Sequence, residues 1–174
     1  VKTTTENYSK ICHRYYKYKA KFFSGKKLNY WDRNAPYPKQ KEFKINWNEA
    51  KSIVVNAYSE FDDRFGKIAN LFFENSWIHA TVKKGKTSGA FSHPTVPSCH
   101  PCILINYQGK IRDVMTLAHE LGHGIHQYLA NKNGVLLADT PLTLAETASV
   151  FGEMLTFKSL LKKSKNKNQK ISLL

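Results

Sequence analysis

A mainly α-helical fold with one short extended interlude is what the sequence predicts, and three observations carry that expectation. Apolar residues recur three and four positions apart over most of the chain, as they do on one face of a helix. Runs of β-branched and aromatic residues bounded by Gly and Pro are confined to residues 81–109. No internal repeat or low-complexity tract competes with this pattern.

The elements follow in order. Between Tyr8 and Phe23, Ile11, Tyr15, Tyr16, Phe22 and Phe23 keep helical spacing, and Gly25 closes the segment. Two prolines with an Asn and an Asp make Trp31-Asp32-Arg33-Asn34-Ala35-Pro36-Tyr37-Pro38 a loop. Asn46 or Asn48 caps a helix running through about Phe61. Asp62 opens a second amphipathic helix carrying Phe65, Ile68, Ala69, Phe72 and Phe73. Beyond Gly85, Gly89-Ala90-Phe91 and Ile103-Leu104-Ile105-Asn106-Tyr107 read as two strands around the loop His93 to His100. Asp113 caps a helix of about five turns from Val114 to Leu129, and Asn131 to Gly134 stops it. Thr140-Pro141 starts a last helix that includes Leu144 to Leu155. A single domain is expected, helical over residues 1–80, extended over 81–109 and helical again over 110–165.

Of the 174 residues, 27 are Lys or Arg and 13 are Asp or Glu, a net charge of +14 that sits at the two ends. Residues 1–30 carry +7 and residues 158–174 carry +6, which leaves the middle near neutral. Lys supplies 23 of the cations and Arg four, and bidentate reading of phosphate or guanine favours Arg, so no nucleic-acid partner is expected. No apolar run approaches the roughly 18 residues of a membrane span, so no membrane partner is expected either. The N-terminus lacks the apolar core of a signal peptide. Three cysteines are too few for a disulfide scaffold, which points to a reducing cytoplasm. The chain begins on Val1 and stops on Leu173-Leu174 straight after a helical pattern, so a longer protein is expected around it.

The chemistry lies in the helix Val114 to Leu129. Leu117, Leu121, Ile125 and Tyr128 form an apolar stripe, with His119, His123 and His126 on roughly the opposite side at 100° per residue. Glu120 is its only permanently charged residue, and a lone carboxylate in an apolar helix is costly unless a cation offsets it. His119 and His123, four positions apart, can place nitrogens about 2.0–2.1 Å from one Zn²⁺. Glu120, turned 100° away, instead reaches a water on the metal, which separates ligand from general base. His126 lies about 10.5 Å along the axis from His119 and cannot share the ion. It is either a residue supporting the site or facing substrate, or a hydrogen-bonded core histidine.

A third ligand comes from the next helix. Between Leu144 and Leu155 the only charges are Glu146 and Glu153, on one face but about two turns apart, so only one can touch the ion. Small neighbours Ala145 and Ala148 let another helix approach Glu146. Glu153 then accepts the free N–H of a ligand imidazole.

The run His119-Glu120-Leu121-Gly122-His123-Gly124-Ile125-His126-Gln127-Tyr128-Leu129, followed by Ala145-Glu146-Thr147-Ala148-Ser149-Val150-Phe151-Gly152-Glu153, resembles the zinc site of the oligoendopeptidase F branch of the thimet oligopeptidase family. Trp31-Asp32-Arg33-Asn34-Ala35-Pro36, His100-Pro101 and Ile105-Asn106-Tyr107 resemble that branch too. The resemblance implies a cytosolic zinc endopeptidase acting on short peptides, built as part of a larger helical fold around a deep channel. It makes His119, His123 and Glu146 ligands of one Zn²⁺ per chain and Glu120 the base, with the strand region, including His100 and Tyr107, beside the cleft. It also implies that Tyr and His side chains from a C-terminal segment beyond Leu174 hold the oxyanion.

Three other readings of these residues are open. The chain could be a zinc-binding but inactive fragment that serves as an interaction module, or a basic nucleic-acid binder. Cys99-His100-Pro101-Cys102 could form a redox pair or half a metal site, although no second CxxC accompanies it and it precedes a strand rather than opening a helix.

Overall fold

The computed structural model describes residues 2–23, 27–35, 44–164 and 167–173. It forms two compact units, Val1–Lys41 and Glu42–Leu174.

The first unit is one helix and a turn. Helix α1, Lys2–Ala20, starts a turn and a half before Tyr8. The 3-10 turn Tyr30–Asp32 is tied back to it by the Lys19 ammonium, which donates to Arg33 O at 2.8 Å, and by Arg33 Nε, which donates to the Tyr16 hydroxyl at 3.2 Å. Ile11 and Phe22, expected on an apolar face, are exposed, while edge-on pairs such as Tyr18–Phe22 shield the rings from one another. Gly25 and Pro36 to Pro38 lie outside the described residues.

The second unit holds the core. Helix α2, Trp47–Ser59, is capped by Asn46, whose side chain accepts from Glu49 N at 2.9 Å. Asp62 caps α3, Asp63–Glu74, in the same way through Phe65 N. Three short strands follow, β1 Ile78–His79, β2 Phe91–His93 and β3 Cys102–Leu104. Their order is β1-β3-β2, with β1 parallel to β3 and β2 antiparallel to it, so Ile78 and Ser92 both stand opposite Ile103. Strand β1 falls in a stretch read as helical, because two residues are too few for any period to show.

Helix α4, Ile111–Ala130, begins before the expected cap. Asp113 is its third residue, and its carboxylate reaches back to accept from Lys110 N at 2.9 Å, so it stabilises the helix start from inside. A 3-10 turn, Asn131–Asn133, and Gly134 at φ +79° end it as expected. Helix α5, Leu142–Lys163, has Pro141 itself at the N-cap, where the ring offers no acceptor, so the start expected to be capped at Thr140-Pro141 has no side-chain cap. A short α6, Lys167–Leu173, follows.

Val114, Leu117, Ala118, Leu121 and Ile125 of α4 are fully buried and meet Val54 and Tyr58 of α2, Ile68 and Phe72 of α3, and Ile103 and Ile105 from β3 and its extension. Burying each such side chain contributes about 1.5–3 kcal/mol, so the apolar stripe of α4 is the main attachment of the helix. Ser92 donates to Gln127 Oε1 at 2.8 Å, and Gln127 Nε2 donates to Ser92 O at 3.2 Å, which fixes the sheet beside α4. The mainly α fold with a small sheet beside that helix is as the sequence predicts. Tyr128 departs from the stripe and is partly exposed at its end.

Candidate metal centre

The approach of α5 to α4 makes the site, and glycines permit it. A Cβ on Gly122 would stand 2.8 Å from both Ala148 O and Ser149 Cα, and one on Gly152 would run into the Tyr58 hydroxyl. That hydroxyl donates to Ala118 O, so α2, α4 and α5 lock together one residue before His119.

On the facing surfaces, His119 Nε2 lies 3.4 Å and His123 Nε2 3.7 Å from Glu146 Oε2. One donor atom from each of the three residues lies within 4.8 Å of the other two. Ser149 donates to Glu146 Oε2 at 2.9 Å and holds the carboxylate in place. His119 Nδ1 stands 3.2 Å from Glu153 Oε2, so an Nδ1–H donated there leaves the Nε2 lone pair aimed at the centre of the group. Burial holds the His123 imidazole below its ordinary pKa, opposed by the nearby Glu146 carboxylate, which favours the neutral form that can act as a ligand.

Glu120 is 6% exposed, and among the described residues no hydrogen-bond donor reaches its carboxyl. Burial raises its pKa; proximity to His119 opposes the shift and Glu146 reinforces it. It opens with His119 and Glu153 into a cavity of about 480 Å³, whose other walls include Gly89, Ala90, Asn106 and Tyr107.

The donor set fits a zinc ion. A tetrahedron with bonds of 2.0–2.1 Å has edges of about 3.4 Å, close to the spacing of each imidazole nitrogen from the carboxylate oxygen. Two neutral imidazoles and one carboxylate leave a fourth position free, and a cation there would offset the lone buried charge of Glu120.

The other residues singled out in the sequence have different surroundings. Tyr107 lines the cavity, but its hydroxyl donates to Ile45 O at 2.8 Å. The His100 ring is stacked face to face on Trp77, 4.3 Å between centroids, and is not among the residues lining that cavity. His126 is half-buried on α4 near His123 and is likewise outside the lining. Cys99 and Cys102 are free and exposed. Sequence reasoning missed Gly122, Gly152 and Tyr58, whose roles exist only once the helices meet, and Ser149, whose bond to Glu146 lies within α5. It also missed Lys86, whose ammonium donates to three carbonyls, those of His79, Thr81 and Ile105.

Residues 1–174 match the sequence model of peptidase family M3 along their whole length. The chain belongs to that family. Within the M3 family, oligopeptidase PepF of Bacillus subtilis is 26% identical over 172 residues, which is 98% of this chain and 26% of the relative. An oligoendopeptidase F homologue of Borreliella burgdorferi is 30% identical over 172 residues, 97% of this chain and 29% of the relative. The chain thus spans less than a third of the length of these curated relatives. A crystal structure described as that of a peptidase from Chlamydophila abortus superposes with a TM-score of 0.82 at 29% identity, covering 98% of this chain and 29% of that one. PZ peptidase A with an inhibitor shares the fold, with a TM-score of 0.78 at 21% identity over 93% of this chain and 29% of that one. The likeness to the oligoendopeptidase F branch read from the motifs is borne out by these relatives.

Proposed function

We propose that this chain carries the catalytic zinc site of a metalloendopeptidase that hydrolyses short peptides. One observation carries the reading: two imidazole nitrogens and a carboxylate oxygen converge from α4 and α5, and one of those residues, His119, lines a cavity onto which the buried Glu120 carboxylate also opens. His119, His123 and Glu146 would hold one Zn²⁺ per chain. When bound, zinc supplies a Lewis acid that polarises the scissile carbonyl and lowers the pKa of the attacking water from 15.7 towards about 7.

The chain's own residues do the rest. Glu120 takes a proton from the attacking water and later gives it to the leaving amine; burial raises its affinity for that proton and so makes it a stronger base. Glu153 holds the His119 ring by its Nδ1 side, Ser149 holds Glu146, and the rigid contacts at Gly122 and Gly152 keep both helices from drifting. Tyr107 shapes the cavity wall with its ring, His126 borders His123, and His100 supports the sheet through Trp77.

The chain spans under a third of its relatives, so turnover is assigned to the full-length protein, where a further segment would supply the opposite channel wall and the oxyanion donors. A cytoplasmic location is in keeping with three free cysteines, and no described helix is long and apolar enough to cross a membrane. The decisive experiment is hydrolysis of a quenched fluorescent peptide by the full-length protein. Turnover should be abolished by a chelator and restored by zinc; full turnover in the chelated, metal-free protein would refute the reading.

A further inference from the structure

Arg112 lies seven positions before His119 on α4, hence on the same face to within about 20° and about 10.5 Å away along the axis. Thr116 lies between them, and all three line the one cavity. Arg112 is the only Lys or Arg among the described lining residues, whose acids are Asp113, Glu120 and Glu153. Its guanidinium is exposed and makes no ion pair among the described residues. The neighbouring Asp113 does not neutralise it by contact, because its carboxylate accepts from Gln108 N at 2.8 Å and Lys110 N at 2.9 Å. The cavity therefore has an acidic end, where peptide hydrolysis is proposed, and, two turns away along the same helix, an end where the Arg112 guanidinium stands without a carboxylate paired to it among the described residues.

A free, planar guanidinium at the rim of a peptide-sized cavity selects a carboxylate, which it can hold by two parallel N–H···O bonds. An extended peptide rises about 3.3 Å per residue, so about three residues span the distance from His119 to Arg112. We infer that Arg112 is a specificity residue that binds a carboxylate of the peptide substrate, an acidic side chain or the free C-terminus, about three residues from the bond that is cut. The inference rests on the peptidase reading above and adds the substrate's charge to it.

The test uses the full-length protein and one neutral quenched peptide into which Asp, Asn or Lys is placed singly at each of the four positions on either side of the scissile bond. A second pair of peptides differs only in a free or amidated C-terminus, which separates the two sources of carboxylate. In wild type, Asp should exceed Lys in kcat/KM by about fivefold to tenfold at one position near the third, the gain shrinking with added salt as for other exposed pairs. A preference carried by the free terminus over the amide would assign the carboxylate to the C-terminus. Arg112→Gln should level the order and Arg112→Glu should reverse it. Because each order is a ratio within one preparation, loss of folded protein cancels.

The same peptides binding to the Glu120→Gln protein, read by fluorescence anisotropy, should rank the same way without any turnover. Cleavage with the wild-type order retained in Arg112→Glu would overturn the anchor and leave the peptidase standing. No chelator-sensitive cleavage of any peptide by zinc-loaded wild type would overturn both.

Discussion

Glu120 differs from His119 by one step along α4, and that step of 100° turns its carboxyl off the ligand face while leaving it in the same cavity. The proposed ligand and the proposed base are thus separated by helix geometry alone, which makes their substitutions distinguishable. Glu120→Gln keeps size and shape but cannot accept a proton, so the full-length enzyme should retain zinc and lose at least about a hundredfold in kcat, the usual scale for general-base catalysis. Metal content measured beside turnover decides it, and near-normal kcat would place the base elsewhere. His123→Ala should do the opposite, removing a donor atom that lies 3.7 Å from Glu146 Oε2 and lowering bound zinc well below one per chain. Undiminished zinc in that variant would exclude His123 as a ligand.

At the scale of elements, α4 and α5 meet through backbone at Gly122, so a methyl there has nowhere to go. Gly122→Ala should destabilise the fold by about 1–3 kcal/mol despite the better helix propensity of Ala, and should weaken zinc retention by moving Glu146 away from the imidazoles. Urea unfolding together with zinc competition against a chelator checks both effects, and wild-type values in both would mean the helices can separate without cost.

The same contact explains what could be read from the sequence. The His119–His123 pair is legible because its geometry is local, four positions on one helix. The chain distance to Glu146 says nothing about approach; the absence of other charges between Leu144 and Leu155 singled it out with Glu153, and its small neighbours Ala145 and Ala148 and the family resemblance chose between the two. Ser149, Tyr58 and Gly152 carried no signal, since a serine, a tyrosine and a glycine in helices have many uses; those of Tyr58 and Gly152 arise from the neighbouring helix, and that of Ser149 from a rotamer turned back to Glu146 on its own helix. Strand β1 was invisible because its evidence is pairing with β3 rather than any pattern in Ile78 and His79. The start of α4 was misplaced because an Asp at a helix N-terminus satisfies the backbone equally well from the cap or from the third position.

Across the whole second unit, two tyrosine hydroxyls work as struts, one from α2 to α4 and one from the end of β3 to the segment before α2. Burial pushes Tyr107 up to about 12, with Asp113 and Glu49 adding to the shift, and burial with the Glu153 charge pushes Tyr58 higher still. Both pKa values are raised above the unfolded value of about 10, so the stability they contribute is complete below about pH 10; the part from Tyr107 is lost as pH rises from there through about 12, and the part from Tyr58 goes on falling beyond it. Urea midpoints should fall between pH 9 and pH 11.5, and Tyr107→Phe should make that fall shallower; an identical pH slope in the variant would remove Tyr107 from the account.

The helix pair that carries the donor atoms is also contiguous in the chain, joined by a single connection from the Asn131–Asn133 turn to Leu142. Bringing His123 and Glu146 together closes one modest loop, an entropic cost that grows only slowly with length. Completing the core behind α4 takes more, because α2 and α3 must first find α4 across longer sequence separations, with Phe72 closing over Gly124. Contacts of that range form slowly, so during refolding the α4–α5 hairpin with the proposed donor atoms is able to assemble before the core that buries α4 does, and metal capture under the proposed reading would run ahead of complete folding.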